Sequence, residues 1–191
     1  MSSSLVTLIL DEKSWIIKDL LPKDLFKDNF DNLWSLHPDE YGQVKIYGKL
    51  INTPRWQQCY MRDYTFSGMT HKALPLPEEF EPYLQFANSL GHGLFNIALI
   101  NYYGHGGHYI GKHSDNEPVI IPNSPIVSIS LGATRTFRIR NKLNNKILHD
   151  IELKHGTYIV MGGEMQKRYL HEVPKVAKSD QRINITFRQM I

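Results

Sequence analysis

His113-Ser114-Asp115 sets an imidazole and a carboxylate two residues apart, so on an extended chain both point to one side and can grip one ion. Nine histidines and ten aspartates in this chain would yield roughly 0.5 such pairs by composition alone, so a third ligand is required. His171, 58 residues downstream near the end of a strand-rich region, is the candidate. Two histidines and one carboxylate on one face leave three positions open on an octahedral metal, the facial arrangement of non-haem Fe(II) centres. Zinc accepts the same ligands with one open position, so ligand type alone leaves iron and zinc both open. The other histidines, at 37, 71, 92, 105, 108, 149 and 155, have no comparable partner. They read as surface or loop residues, with His105 and His108 nearest a pocket mouth.

A second pattern lies at the C-terminal end. In Arg182-Ile183-Asn184-Ile185-Thr186-Phe187-Arg188 every odd position is apolar and every even one polar. An ordinary strand with one core face and one wet face accounts for this. So does a polar pocket wall whose arginines bind the carboxylates of a small diacid, each charge-assisted contact contributing about 1.5–3 kcal/mol. Asn101 and Tyr103 likewise share one side of an earlier strand that ends just before the histidine–aspartate turn.

Positioning these groups requires a β framework. Phe95 to Tyr103, Val127 to Leu131, Thr136 to Arg140, Gly156 to Met161 and Arg182 to Arg188 read as short strands divided by Gly, Asn and Pro. Without intervening helices, they suggest a closed or two-sheet antiparallel architecture such as a jelly roll. Two more strand-like stretches fall around Ile46–Lys49 and Tyr60–Phe66. Before them, Leu25, Phe26, Phe30, Leu33 and Trp34 recur at helical spacing after Pro22, predicting one amphipathic helix closed by His37-Pro38. A second helix is predicted over Glu78–Leu90, between Pro77 and Gly91. The expected fold is therefore α+β, mainly β, with N-terminal helices packed on one side of the core.

The 191 residues, 41% hydrophobic and 21% charged, suit one soluble domain with a real core. No apolar run nears the length of a membrane span, and no secretory signal pattern opens the chain. The single cysteine, Cys59, excludes an internal disulfide and suits a reducing, intracellular compartment. A net charge of +3 permits a polyanionic partner without demanding one. Arg135, Arg138, Arg140, Lys142 and Lys146 follow one another with no acidic residue between, which a solvated surface would also explain.

Together, the order Asn101-x-Tyr103, His113-x-Asp115, His171, Arg182 and Arg188 resembles the AlkB family of Fe(II)- and 2-oxoglutarate-dependent dioxygenases. The likeness extends from roughly Gln43 to Ile191 and includes Tyr64-Thr65-Phe66-Ser67-Gly68 and Ser130-Leu131-Gly132-Ala133. It is closest to the eukaryotic-type members that repair double-stranded DNA. The resemblance implies a double-stranded β-helix, with residues 1–42 an N-terminal helical extension, 43–191 the dioxygenase domain and 43–68 its nucleotide-recognition segment. It implies Fe(II) held by His113, Asp115 and His171. It also implies 2-oxoglutarate bound by Arg182 and Tyr103 at its distal carboxylate, with Asn101, Asn184, Thr186 and Arg188 completing the pocket. Dioxygen is the third reactant.

The implied activity is oxidative demethylation of bases such as 1-methyladenine and 3-methylcytosine. Formaldehyde is released and 2-oxoglutarate becomes succinate and CO2. Phe66, opposite the ring of His113, would sandwich the base, Tyr64 and Glu117 would reach its edge, and Ser67 and Asn116 would lie nearby. Relatives commonly carry an acidic residue where Asn116 stands, a loss expected to weaken the preference for cationic lesions or to broaden the substrate range. Tyr47, between Lys45 and Lys49, would be an aromatic finger filling the gap left by a flipped base, although an ordinary hairpin with a half-buried tyrosine fits the same residues. The implied partner is alkylated DNA, foremost double-stranded, with single-stranded DNA or RNA open. The protein would be a monomer in nucleus or cytoplasm, with no membrane partner. A related oxygenase acting on RNA or a protein side chain, and a jelly-roll binding module with a vestigial metal site, are the competing readings.

Overall fold

Four strands, at residues 97–103, 126–132, 157–163 and 182–188, are buried along nearly their whole length, so each must offer an apolar or hydrogen-bonded side chain at almost every position. The computed structural model describes residues 5–191. Its first eight strands are β1 (Val6–Asp11), β2 (Ser14–Leu20), β3 (Gln43–Ile46), β4 (Lys49–Asn52), β5 (Trp56–Tyr60), β6 (Tyr64–Phe66), β7 (Met69–His71) and β8 (Ala73–Leu74). The others are β9 (Ile97–Tyr103), β10 (Ile110–His113), β11 (Ile126–Gly132), β12 (Arg135–Asn141), β13 (Ile147–Leu153), β14 (Thr157–Gly163), β15 (Tyr169–Val173) and β16 (Arg182–Arg188). Three helices join them: α1 (Phe30–Trp34), α2 (Glu81–Ser89) and α3 (Met165–Arg168).

Eight strands form a large sheet in the order β1-β2-β14-β11-β16-β9-β5-β8, and four form a smaller one, β10-β15-β12-β13. Residues of β9, β11, β14 and β16 and residues of β10, β12 and β15 line one cavity between the sheets. This is the expected jelly roll. The far side of the large sheet carries Ile100, Tyr102, Ile183, Ile185 and Phe187, packed against Leu33 of α1 and Tyr83 and Ala87 of α2. Phe80, fully buried just before α2, contributes about 1.5–3 kcal/mol to that contact.

Of the helical extension expected over residues 1–42, residues 1–4 lie outside the described residues and the rest departs from it. Residues 6–20 form a hairpin, and β2 extends the large sheet by pairing antiparallel with β14, from Ser14–Gly163 to Leu20–Thr157. Trp15 and Ile16 consequently pack into different clusters, as a strand's alternation requires. The single helix expected after Pro22 is two short turns, a 3-10 turn at Lys23–Leu25 and α1, separated where Asp28 takes φ 64°. Its apolar residues still pack on the core under the large sheet. Helical spacing was thus a correct guide to the buried face and overstated helix length.

Two further boundaries move. Ile46–Lys49, expected as strand, is the turn of the β3–β4 hairpin, with Tyr47 at φ 48° and Gly48 at φ 78°. Positive φ at both central residues is the turn geometry that matches strand twist. Tyr60–Phe66 is broken at Met61, φ 76°, which sends β5 into the large sheet and β6 into a separate hairpin with β7. Among the described residues no helix is long and apolar enough to cross a membrane.

Candidate active site

β10 and β15 are antiparallel neighbours, and their register sets His113 directly opposite His171, with ring centroids 4.2 Å apart. Asp115 follows in the loop after β10. Its Oδ1 lies 3.7 Å from His113 Nε2 and its Oδ2 4.0 Å from His171 Nε2. The three ligand atoms lie within 4.8 Å of one another. Phe137 stacks on the His171 ring at 5.1 Å, and the Gly111 carbonyl lies 2.9 Å from His113 Nδ1. A proton on that Nδ1 leaves the Nε2 lone pair toward Asp115.

The charges suit a cation. Burial opposes ionisation of Asp115, but Arg188 and then the two histidines hold its carboxyl far below the usual range. Burial pushes His171 down to about 3, with His113 adding to the effect. Burial also lowers His113, against the pull of Asp115. Near neutral pH the cluster therefore presents two neutral imidazoles and one carboxylate, the protonation states that ligate iron or zinc.

Beside the cluster, β16 turns its polar residues inward. All seven of its residues are buried, so the face that sequence alone could not distinguish from a wet one lines the cavity. Register aligns the polar layer: Arg182 with Tyr103, Asn184 with Asn101 on β9, and Asn184 with Ser130 on β11. Arg182 Nη2 donates to Ser130 Oγ at 2.8 Å, and its guanidinium lies 4.9 Å from the Tyr103 ring. Its Nε and Nη1 are buried without partners, as are those of Arg188, whose Nη2 donates to Asp115 Oδ2 at 2.9 Å. Asn184 donates to Ser128 and the Ile129 carbonyl, and Thr186 donates to Asn184.

Two arginines of the site escaped the sequence reading. Arg55 is buried and donates from Nε to Asn101 Oδ1 at 2.6 Å. Arg135, 2% exposed, places its guanidinium 5.6 Å from the centroid of the Tyr103 ring and donates to the His108 and Pro174 carbonyls. Its inward alternation with Phe137 and Ile139 on β12 was a usable signal; nothing local marks Arg55. Elsewhere in that basic run, Arg138 pairs with Asp150 and Arg140 with Glu172. Among the described residues, Arg188 is the one of these four buried guanidiniums with a carboxylate partner in an ion pair. Buried cations with open donors call for an anion, and a dicarboxylate fits. The orphaned donors and the ligand set thus fit 2-oxoglutarate and Fe(II) together.

The cavity has a volume of about 500 Å³. Tyr64, Phe66, Ser67 and Glu117 line it with the ligand cluster, and Val44, Ile46 and Ile51 of the β3–β4 hairpin lie at its rim. Tyr64 donates to Glu117 Oε2 at 2.8 Å; burial, with Asp115 adding, raises the Glu117 pKa. Two expectations, for Asn116 and for the pair His105 and His108, are corrected by geometry. Asn116 faces a neighbouring cavity of about 230 Å³ and accepts from Ser114 Oγ, because the loop turns after Asp115. Tyr47 stands outside the cavity, fully exposed on the hairpin tip. His105 and His108 do not line the cavity either; His108 is buried instead, bonded to the Gly104 N–H and the Tyr41 hydroxyl. Gln166 of α3 was also missed: its Oε1 accepts from the Asp115 N–H at 2.9 Å and its Nε2 donates to Met161 Sδ.

Comparison with known proteins gives residues 28–188 as a match to the 2OG-Fe(II) oxygenase superfamily. The chain is similar to human "DNA oxidative demethylase ALKBH2", 32% identical over 160 residues that cover 78% of this chain and 61% of that protein. The mouse protein of the same name is 30% identical over 161 residues, covering 78% and 67%. Rat "Alpha-ketoglutarate-dependent dioxygenase alkB homolog 3" is 36% identical over 136 residues, covering 65% and 46%. The match thus spans about six-tenths of the human relative. In fold, the chain resembles the solved structure "The structure of OsALKBH1", with a TM-score of 0.64 at 17% identity, covering 96% of this chain and all of that one.

Proposed function

The chain belongs to the AlkB family within the 2OG-Fe(II) oxygenase superfamily, and from that membership we propose that it removes alkyl groups from nucleobase nitrogens in DNA. The substrates are N-methyl lesions of the 1-methyladenine and 3-methylcytosine type, and the protein acts as a monomer in nucleus or cytoplasm. The observation that carries this reading is that one cavity brings these groups together. Its lining joins the buried donors of Arg182 and Arg188, the ligand cluster His113, Asp115 and His171, and Phe66 with the Tyr64–Glu117 pair.

Fe(II), 2-oxoglutarate and dioxygen together supply the oxidation, 2-oxoglutarate leaving as succinate and CO2. The chain's residues do the rest. Arg182 and the Tyr103 side hold the distal carboxylate, while Arg188 keeps Asp115 ionised and aimed between the histidines. Phe66 and the His113 ring enclose the flipped base, a cationic ring gaining roughly 0.5–2 kcal/mol from an aromatic face. Tyr64 and Glu117 meet its edge. Hydroxylation of the N-methyl group yields a hemiaminal that breaks down to formaldehyde and the unmodified base.

Tyr47 fits the duplex form of this activity. A flipped base leaves a gap, and a fully exposed tyrosine on the hairpin turn between Lys45 and Lys49 can stack in it. The test is formaldehyde and succinate release from a 1-methyladenine duplex, with and without 2-oxoglutarate, beside single-stranded DNA and RNA. Release that requires 2-oxoglutarate is expected. Succinate formation with no formaldehyde from any methylated nucleic acid would overturn the nucleobase reading.

A further inference from the structure

The rear of the Phe66 platform is occupied. His71 of β7 stacks flat on the Phe66 ring, with centroids 4.0 Å apart and planes 12° apart. Hairpin register explains the contact: Tyr64 pairs with His71 and Phe66 with Met69, so Phe66 and His71 are diagonal neighbours within reach of aromatic rings. His71 does not line the cavity, and its Nε2 is buried without a hydrogen-bond partner. Adding a proton here would bury a charge with no acceptor at that nitrogen, and burial accordingly lowers the imidazole pKa. The titratable groups around it are Tyr64, opposite on β6, and the exposed Lys72–Asp63 ion pair next along the chain. Glu117 and Arg188 act on Tyr64, through its hydroxyl and its ring.

We propose that His71 is a specificity-determining positioning residue: as a neutral imidazole it fixes Phe66 for a cationic base, and as an imidazolium it opposes that cation through the same ring. The proposal rests on the nucleobase reading above. A base stacked on the free face of Phe66 would lie about 7.5 Å from the imidazole, two stacking distances away. Like charges at that separation, in a partly screened site, weaken the cationic substrate by about threefold to tenfold. A neutral lesion loses nothing of this kind.

The test compares kcat/KM for 1-methyladenine, cationic under assay conditions, with that for 3-methylthymine, which is neutral. Wild type and His71→Leu are each followed from about pH 7.5 to about pH 5. The cationic-to-neutral ratio should fall about threefold to tenfold further in wild type than in the variant on acidification, the fall common to both belonging to the Glu117 carboxyl at the base edge, whose pKa is raised. Taking the ratio cancels pH effects on the metal ligands and on 2-oxoglutarate, which both substrates share. If the leucine variant does not fold, His71→Asn, which cannot gain charge, carries the same comparison. A flat wild-type ratio, or the same fall in the variant, overturns the role of His71 alone. Absence of turnover on both lesions in wild type overturns the nucleobase reading, and His71 with it.

Discussion

Arg182→Met separates the arginine's two roles, as a buried charge and as a ligand-binding group. In the ligand-free protein Arg182 is 1% exposed and spends one donor on Ser130, while Nε and Nη1 have no partner. Methionine of similar length removes a buried, underpaired cation, a change that is often neutral or stabilising. The Ser130 hydroxyl loses its partner, which costs about 1 kcal/mol. These effects offset, so the melting temperature should move by no more than about 2–4 °C, the equivalent of 1 kcal/mol in a chain of this size. Binding of 2-oxoglutarate should suffer far more. Losing a charge-assisted pair to a desolvated carboxylate costs about 2–4 kcal/mol, or roughly 30- to 1000-fold in Kd.

Thermal shift reads both quantities at once, with manganese(II) replacing iron so that nothing turns over. Ligand at a hundred times the wild-type Kd stabilises by about 2.7 kcal/mol, and a hundredfold weaker Kd leaves about 0.4 kcal/mol. The ligand-induced shift should therefore fall from about 5–10 °C to about 1 °C. Arg182→Lys should recover part of it, because a lysine keeps the charge and loses the planar fork. An undiminished shift in Arg182→Met would refute the assignment of this guanidinium to the cosubstrate.

Three other outcomes are expected. His113→Ala and His171→Ala should abolish formaldehyde release with the fold intact by circular dichroism; Asp115→Ala should do the same and also destabilise by about 3–5 kcal/mol in urea, because it strands buried Arg188. Tyr47→Ala should lower turnover of a methylated duplex about tenfold from lost stacking, while single-strand turnover and stability stay unchanged; equal losses on both substrates would contradict the finger role. Gln166→Leu, which takes the acceptor from the Asp115 N–H, should weaken metal affinity about 10- to 100-fold by direct titration, as loss of a group supporting a ligand does.

Local pattern alone determined a good deal of this protein. Period-2 alternation in Arg182–Arg188 marked β16 and which of its residues share a face, since alternation is a property of the strand itself. The i, i+2 spacing marked His113, at the end of β10, and Asp115, in the loop just after it, as a pair, and Pro77 and Gly91 bracketed α2 with the 3-10 turn before it. Tertiary structure decided the rest. Whether the polar face of β16 met water or a cavity depended on the small sheet closing over it. His171 became a partner of His113 only through the β10–β15 register, a pairing across 58 residues that no short-range spacing encodes. Arg55, just before β5, reached Asn101, and Arg135 of β12 reached the Tyr103 ring, only through tertiary packing. Asn116 left the site because one loop turned. The N-terminal strands were missed for a related reason: a hairpin added to a sheet is stabilised by the strand it pairs with, and β14, the neighbour of β2, lies far along the chain.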